Sequence, residues 1–176
     1  MNMNFLIVGL GNPGEEYENT RHNVGRILVE SFRKQSSFPE WEGSKYAQAL
    51  YSKEKIGKHN VELILPETFM NKSGKSVLYA VDKHKIKSEN VIVVYDDLDL
   101  PLGSFKLTFN RGSGGHKGIE SITRSLKTKE FVRLRMGISP ADKAGRAKKP
   151  IGEKKVHDFI LGKFRKPELE TLKKLF

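Results

Sequence analysis

Residues 5–14 read FLIVGLGNPG, and the interpretation of this stretch decides the fold. Phe5 to Leu10 are continuously apolar, the pattern of a strand buried on both faces rather than wet on one. Gly11, Asn12, Pro13 and Gly14 end the run as turn formers. Gly9 to Gly14 also fits G-x-G-x-x-G directly after a strand, the spacing of a dinucleotide-binding turn. The context opposes that reading. A dinucleotide turn opens a helix whose free N–H groups meet pyrophosphate, whereas Pro13 has no N–H and Glu15, Glu16 and Glu18 repel phosphate. No acidic residue closes a second strand about 20 positions on, where Lys34-Gln35-Ser36-Ser37 stands. The glycines therefore make a tight turn that presents Asn12.

Outward from this strand, Val24, Ile27, Leu28 and Phe32 recur at helical spacing and define a first helix. Segments 46–51 and 60–65 are strand-like, with Gly57 and Asn60 between them, and predict a hairpin. A helix follows over about 74–85. Residues 91–95 (VIVVY) form the most strand-like run and end on Asp96 and Asp97, where open α/β sheets place functional carboxylates. A strand over 104–109, a glycine-rich entry (112–118) to a helix bearing Ile119, Ile122 and Leu126, and a strand over 131–138 complete the series. Residues 139–155 lack core material and carry many lysines, predicting a mobile basic loop. Residues 167–176 begin a helix that the chain end at Phe176 cuts short. Alternating strands and helices with one hairpin predict an α/β fold: a single three-layer domain over 1–176, its mixed β-sheet flanked by helices.

The 176 residues are 37% hydrophobic, enough to bury a core of that size without staples. With 32 Lys+Arg against 21 Asp+Glu, the net charge of +11 attracts polyanions and puts nucleic acid first among partners. The absence of cysteine excludes disulfides, thiol nucleophiles and cysteine zinc sites, and points to the cytoplasm. No apolar run reaches the roughly 20 residues of a membrane span, and the run at 5–8 is too short for a signal peptide. No membrane association is expected.

The chemistry centres on Thr20-Arg21-His22-Asn23, just before the first helix. His22 is the candidate general base, although a lone histidine more often only packs or caps. Asp96 changes that balance, because a carboxylate at a strand end can accept the imidazole N–H and fix the ring for proton abstraction from water. On this reading Asp96→Asn costs less than loss of the base itself. Asn12 and Asn71, on loops after apolar segments, can donate to a carbonyl or accept from a hydroxyl, though Asn also favours turns for its own sake. His116 and Lys117 either open a helix or offer an anion their backbone N–H groups and an ammonium. His116 could also join His22, Asp96, Asp97 and Asp99 around a metal, but none of these has diagnostic spacing. His59, His84 and His157 read as incidental. Basic clusters at Lys106/Arg111/Lys117, Arg133/Arg135 and Lys143–Lys149 suit phosphate contacts.

Five blocks resemble bacterial peptidyl-tRNA hydrolase, in that family's order: FLIVGLGNPGEEYENTRHNVG (5–25), PETFMNKSG (66–74), VYDDLDLPLG (94–103), GSGGHKGIESI (112–122) and FVRLRMGI (131–138). The resemblance implies cleavage of the ester between a peptide and the 3′ ribose of tRNA, recycling tRNA after aborted translation, with no metal or organic cofactor. It implies that His22 is the base and Asp96 its orienting partner, and that Asn12 and Asn71 bind the peptide end and position the carbonyl or water. Tyr17 and Met70 would line the peptide cleft beside His116 and Lys117. Arg135 would grip a tRNA phosphate together with a lysine. The chain departs from the family in three places. Thr108 stands where that lysine is expected, with Lys106 two residues earlier; Lys117 stands where an Asn is usual; and the terminal helix is short. A monomer is expected. Two alternatives remain at this stage, a non-catalytic RNA-binding relative and a metal-dependent hydrolase.

Overall fold

The computed structural model describes residues 1–175. Phe176, on which the expectation about the chain end rests, lies outside them. In chain order the elements are β1 (Asn4–Gly9), α1 (Val24–Gln35), β2 (Glu42–Ser44), β3 (Ala49–Ile56), β4 (His59–Pro66), α2 (Ser73–His84), β5 (Val91–Pro101), β6 (Phe105–Phe109), α3 (Lys117–Leu126), β7 (Val132–Ser139), α4 (Glu153–Leu161) and α5 (Lys166–Lys173).

The strands form one sheet in the order β2-β3-β4-β1-β5-β7-β6. Its centre, β4-β1-β5-β7, is parallel, while the β2–β3–β4 and β6–β7 pairings at the flanks are antiparallel. Central parallel strands are buried on both faces, which is why β1 and β5 read as unbroken apolar runs. Leu6, Val8, Val91, Val93 and Tyr95 pack on one face with Val77 and Ala80 of α2 and Ile119 and Ile122 of α3. Leu63, Leu65, Val94, Met136 and Ile138 pack on the other with Val24, Leu28 and Val29 of α1 and Leu172 of α5. The expected three-layer α/β architecture with a mixed sheet is thus observed. Helix α1 descends onto the sheet at Gly25, where a Cβ would lie 2.1 Å from the Val94 carbonyl oxygen, a separation no side chain tolerates.

Several boundaries differ from the sequence reading. The first hairpin strand runs from Ala49 to Ile56 rather than over 46–51, and the short β2 precedes it. β5 continues to Pro101 through an irregularity between Asp97 and Pro101. The stretch expected as a mobile basic loop over 139–155 is shorter and more structured. Ser139 closes β7 as a buried residue, and Glu153 to Lys155 open α4. Between them, the Asp142 carboxylate accepts the amides of Ala144 and Arg146 and the Arg146 Nε–H, Ala141 and Ala147 form a bridge, and Lys149 pairs with Asp99. The terminal helix expected to run to the chain end stops at Lys173.

Candidate active site

The carboxyl ends of β1, β4 and β5 meet at one edge of the sheet, the edge where α/β folds gather polar loops. After β1, no α-helix opens at the glycines; a single 3-10 turn spans Glu15–Tyr17, so the loop presents Asn12 as expected. Asn12 and Asn23 hold each other. The Asn12 N–H donates to Asn23 Oδ1 and the Asn23 amide donates to the Asn12 carbonyl, both at 2.8 Å. The Met70 N–H donates to Asn12 Oδ1 at 2.8 Å. Because an N–H must meet the oxygen, the Asn12 Nδ2 group faces the other way and makes no hydrogen bond among the described residues.

His22 sits in a 3-10 turn (Arg21–Asn23) leading into α1. Its Nδ1 lies 2.8 Å from Asp96 Oδ2. His116 comes from the opposite side of the sheet, where it caps α3, and its Nε2 lies 2.8 Å from Asp96 Oδ1. Positive φ at Gly114 (59°) and Gly115 (83°) turns the chain sharply into this cap, a conformation that favours glycine. Asp96 is thus clamped between two imidazoles whose ring centroids are 5.1 Å apart. Burial alone would raise the Asp96 pKa, but attraction to His22 and His116 and the hydrogen bonds from both rings outweigh it. The carboxyl is held well below the usual range. For His22, burial pulls the pKa down, yet the charge and hydrogen bond of Asp96 leave it raised above the ordinary histidine value. An ionised Asp96 accepts only, so His22 must offer Nδ1–H and keep Nε2 as a bare lone pair. That is the form a general base requires.

The other expected residues fall into two groups. Met70 is buried on the 3-10 turn before α2, and a Cβ on Gly118 would lie 2.6 Å from its sulfur. Tyr17 packs edge-on against the exposed ring of Phe69, 6.4 Å between centroids. Asn71, on the same turn as Met70, is exposed. This group is tied to the histidines through Asn23, which follows His22, and Gly118, two residues past His116. The second group faces a cleft of about 270 Å³ that includes His22, Asp96, His116, Lys117 and Arg135. The Lys117 side chain is 71% exposed and 3.6 Å from Glu120. Lys106 is exposed on β6 directly across from Arg135, so the two share a face.

Arg135 itself is not a free cation, since its Nε donates to Asp97 Oδ2 at 2.6 Å. Arg133, grouped with it as a phosphate contact on sequence grounds, is fully buried. It stacks 4.0 Å above Phe131 and donates to the carbonyls of Lys129, Phe131 and Arg111, so it ties down the connection after β6 instead. Thr108 faces it across the strands. His84, read as incidental, lies 3.1 Å from the buried Glu62 beside Lys53. Sequence reasoning missed the pairs of Arg135 with Asp97, Arg133 with the Arg111 carbonyl and His84 with Glu62 because each joins residues more than 20 positions apart; only the strand-end position of Asp96 and Asp97 signalled that partners exist.

A metal reading gains little from this geometry. His22, Asp96 and His116 do converge, but both histidines aim a ring nitrogen at the carboxylate at hydrogen-bonding distance, and the other nitrogen of His116 caps α3. Asp97 and Asp99 are paired with Arg135 and Lys149. Within the converging trio, His22 Nε2 is the ring nitrogen left open, fewer than a metal site needs.

The family model described as peptidyl-tRNA hydrolase matches residues 6–176. The peptidyl-tRNA hydrolase of Listeria innocua serovar 6a is 42% identical over 165 residues, 93% of this chain and 82% of that protein. The enzyme of that name from Sulfurihydrogenibium sp. (strain YO3AOP1) is 42% identical over 170 residues, 96% of this chain and 83% of its own. Among solved structures, peptidyl-tRNA hydrolase from Acinetobacter baumannii superimposes with a TM-score of 0.86 at 33% identity, covering 97% of this chain and 81% of that one. Sequence and fold agree over nearly the whole length, and the chain belongs to the peptidyl-tRNA hydrolase family.

Proposed function

We propose that this chain hydrolyses the ester joining a peptide to the 3′ ribose of tRNA, with His22 as general base. The observation that carries the reading is the forced tautomer of His22: with Nδ1–H committed to Asp96, Nε2 is bare and open to a water. That water loses a proton to Nε2 as its oxygen attacks the ester carbonyl. Asp96 stabilises the resulting imidazolium. Collapse of the tetrahedral intermediate breaks the bond to the ribose oxygen, which takes the proton back from His22, leaving free tRNA and a peptide carboxylic acid that releases its own proton to solvent. The unengaged Nδ2 of Asn12 is suited to donate to the peptide or to the developing oxyanion, and the exposed amide of Asn71 lies one residue from Met70, which accompanies it along the peptide cleft. Tyr17 and Met70 supply that cleft with apolar surface, and Lys117 and the backbone beside His116 border it.

Phosphates of the tRNA meet Lys106 and the basic connection between β7 and α4, with Arg135 held ready by Asp97. No metal or organic cofactor enters any step. The chain acts as one domain and as a monomer in the cytoplasm, a placement that suits a protein without cysteine and without a helix, among the described residues, long and apolar enough to cross a membrane. The test is to incubate the purified protein with N-acetylated and with free aminoacyl-tRNA, with and without a chelator, and to check the monomer by sedimentation. Release of the N-acetylamino acid from the blocked substrate, with free aminoacyl-tRNA left intact and no sensitivity to chelation, is expected. Cleavage of free aminoacyl-tRNA at the same rate, or loss of activity with the chelator, would overturn the reading.

A further inference from the structure

Asp96 has two carboxylate oxygens, and the protein aims a ring nitrogen at each. Oδ2 receives Nδ1–H of His22, and Oδ1 lies 2.8 Å from Nε2 of His116. The remaining nitrogen of His116 is engaged as well. At the N-terminus of α3, Nδ1 accepts the amide hydrogens of Gly118 at 3.1 Å and of Ile119 at 3.3 Å. Helix caps are ordinarily Ser, Thr, Asp or Asn, whose short side chains satisfy the first amides more simply. A histidine does something those residues cannot, because its ring reaches onward from the cap to a second acceptor. A nitrogen that receives two N–H groups carries no proton, so the capping amides hold the ring as the neutral tautomer with hydrogen on Nε2.

We propose that His116 is a positioning residue for the hydrolysis, the first amides of α3 acting through its ring to fix the rotation of Asp96 and thereby the tautomer of His22. The inference rests on the functional reading above. With both oxygens engaged, the Asp96 carboxylate cannot turn about its terminal torsion, which in an aspartate is otherwise broad. The donor on Oδ1 also draws on the same negative charge that holds the proton of His22. Without it, Asp96 would hold the imidazolium more tightly and leave less of the base form.

Other charged groups around the site are largely occupied. On β5, Asp97 pairs with Arg135 of β7, and Asp99 with Lys149 of the β7–α4 connection. Lys117 faces Glu120 along α3, and Arg111 is exposed on the connection after β6. The Tyr95 ring meets the face of His116, 4.9 Å between centroids. None of them forms a hydrogen bond or ion pair with Asp96, His22 or His116.

The experiment uses the intact chain and two variants. His116→Asn keeps a capping oxygen for α3 but its side chain ends where Nδ1 does, short of Asp96. His116→Ala loses both contacts. Steady-state cleavage of N-acetylated aminoacyl-tRNA is followed from acid to alkaline pH, with thermal melting in parallel and nitrogen-15 NMR of the histidines in the parent. Expected are a parent His116 with Nε2 protonated and Nδ1 bare, and an Asn variant that melts near the parent. That variant should lose about tenfold in kcat with little change in KM, and the acid limb of its kcat profile should move to higher pH. The Ala variant should show the same kinetics and a lower Tm. An Asn variant with the parent's kcat and acid limb, or a parent whose Nδ1 bears the proton, overturns the proposal and leaves His116 a helix cap only. A parent inactive on the blocked substrate would instead overturn the functional reading, and the NMR tautomer would then be the result that decides the role of His116.

Discussion

At the carboxyl edge of the sheet Asp96 sits between His22 and His116, and at the amino edge Glu62 sits against His84 and Lys53. Both carboxylates are buried, and each lies within about 3 Å of an imidazole. Their charges nonetheless shift in opposite directions. Asp96 is driven down and His22 up, whereas burial leaves the Glu62 pKa raised despite Lys53 and Lys83, and burial with the same two lysines lowers that of His84. The difference lies in where hydrogens point. Each oxygen of Asp96 receives its own N–H, but the His84 Nε2 that faces Glu62 at 3.1 Å is also 3.0 Å from the Lys53 ammonium, which can only donate. Nε2 then has no hydrogen left for Glu62. Proximity of acid and histidine does not commit a tautomer; a hydrogen directed at each carboxylate oxygen does.

Four outcomes would sharpen or break this contrast. The largest concerns the base. His22→Ala should remain folded and lose roughly 10²–10⁴-fold in kcat. The clamp revises the sequence expectation for Asp96→Asn. With His116 fixed as a donor, the Asn oxygen must face His116 and its NH₂ must face His22, forcing the hydrogen of His22 onto Nε2 and blocking the base. Asp96→Asn should therefore fall nearly as far as His22→Ala, and a mild defect in single-turnover cleavage would break the comparison at its centre.

Next in size is stability. At the carboxyl edge charges are matched, so Arg135→Ala leaves the partly buried Asp97 with only the Asp99 amide as partner and should lower unfolding stability in urea by about 1.5–3 kcal/mol. An unchanged denaturation midpoint would show that Asp97 finds another partner. Smaller again is the effect of salt. Lys106→Ala should flatten the dependence of log KM on log salt by about 0.7–0.9, one phosphate contact, while Lys55→Ala on the amino edge, removing the same charge, should leave it unaltered. Equal flattening by both would reduce the basic surface to net charge alone.

The smallest effect is expected at Glu62. Because its folded pKa is raised, ionised Glu62 weighs against the fold; the penalty grows as pH rises through the unfolded and then the folded value. Glu62→Gln should leave kcat within about twofold of the parent and match or exceed its stability at neutral pH, the advantage fading as pH drops below the ordinary glutamate range. Asp96→Asn should do the reverse, since a depressed pKa lends stability above the unfolded value and loses it only in acid. Glu62→Gln unfolding more readily at neutral pH would show that the amino-edge cluster is a true ion pair.

What the sequence disclosed follows the same physics. β1 and β5 announce themselves because both faces are buried, and α3 because Ile119 and Ile122 recur on one side. β2 is three residues without an apolar one, and β3 ends in Lys53-Glu54-Lys55-Ile56, exposed because the strand outruns the core. α4 has no fully buried residue, so its Val156, Phe159 and Ile160 do not stand out from the lysines before them. At the site, His22 and Asp96 could be paired in advance because a strand end and a helix entry meet at the carboxyl edge. The link from His116 to the same carboxylate could not, since it depends on α3 arriving from the other face. Nor could the Asp97 partner of Arg135, two strands apart in sequence but adjacent in the sheet.

Position 25 adds a consequence of another kind. Helix α1 and strand β5 touch there as two bare backbones, Gly25 against the carbonyl of Val94, with the Leu10 N–H donating to that same oxygen at 3.1 Å. His22 precedes the contact by three residues and Asp96 follows it by two. The 2.8 Å between imidazole and carboxylate is therefore a borrowed dimension, a clearance gauged by a residue with nothing to gauge it with but its own emptiness. A single carbon added at that point would lift the helix, and the imidazole and the carboxylate would part although neither had been altered.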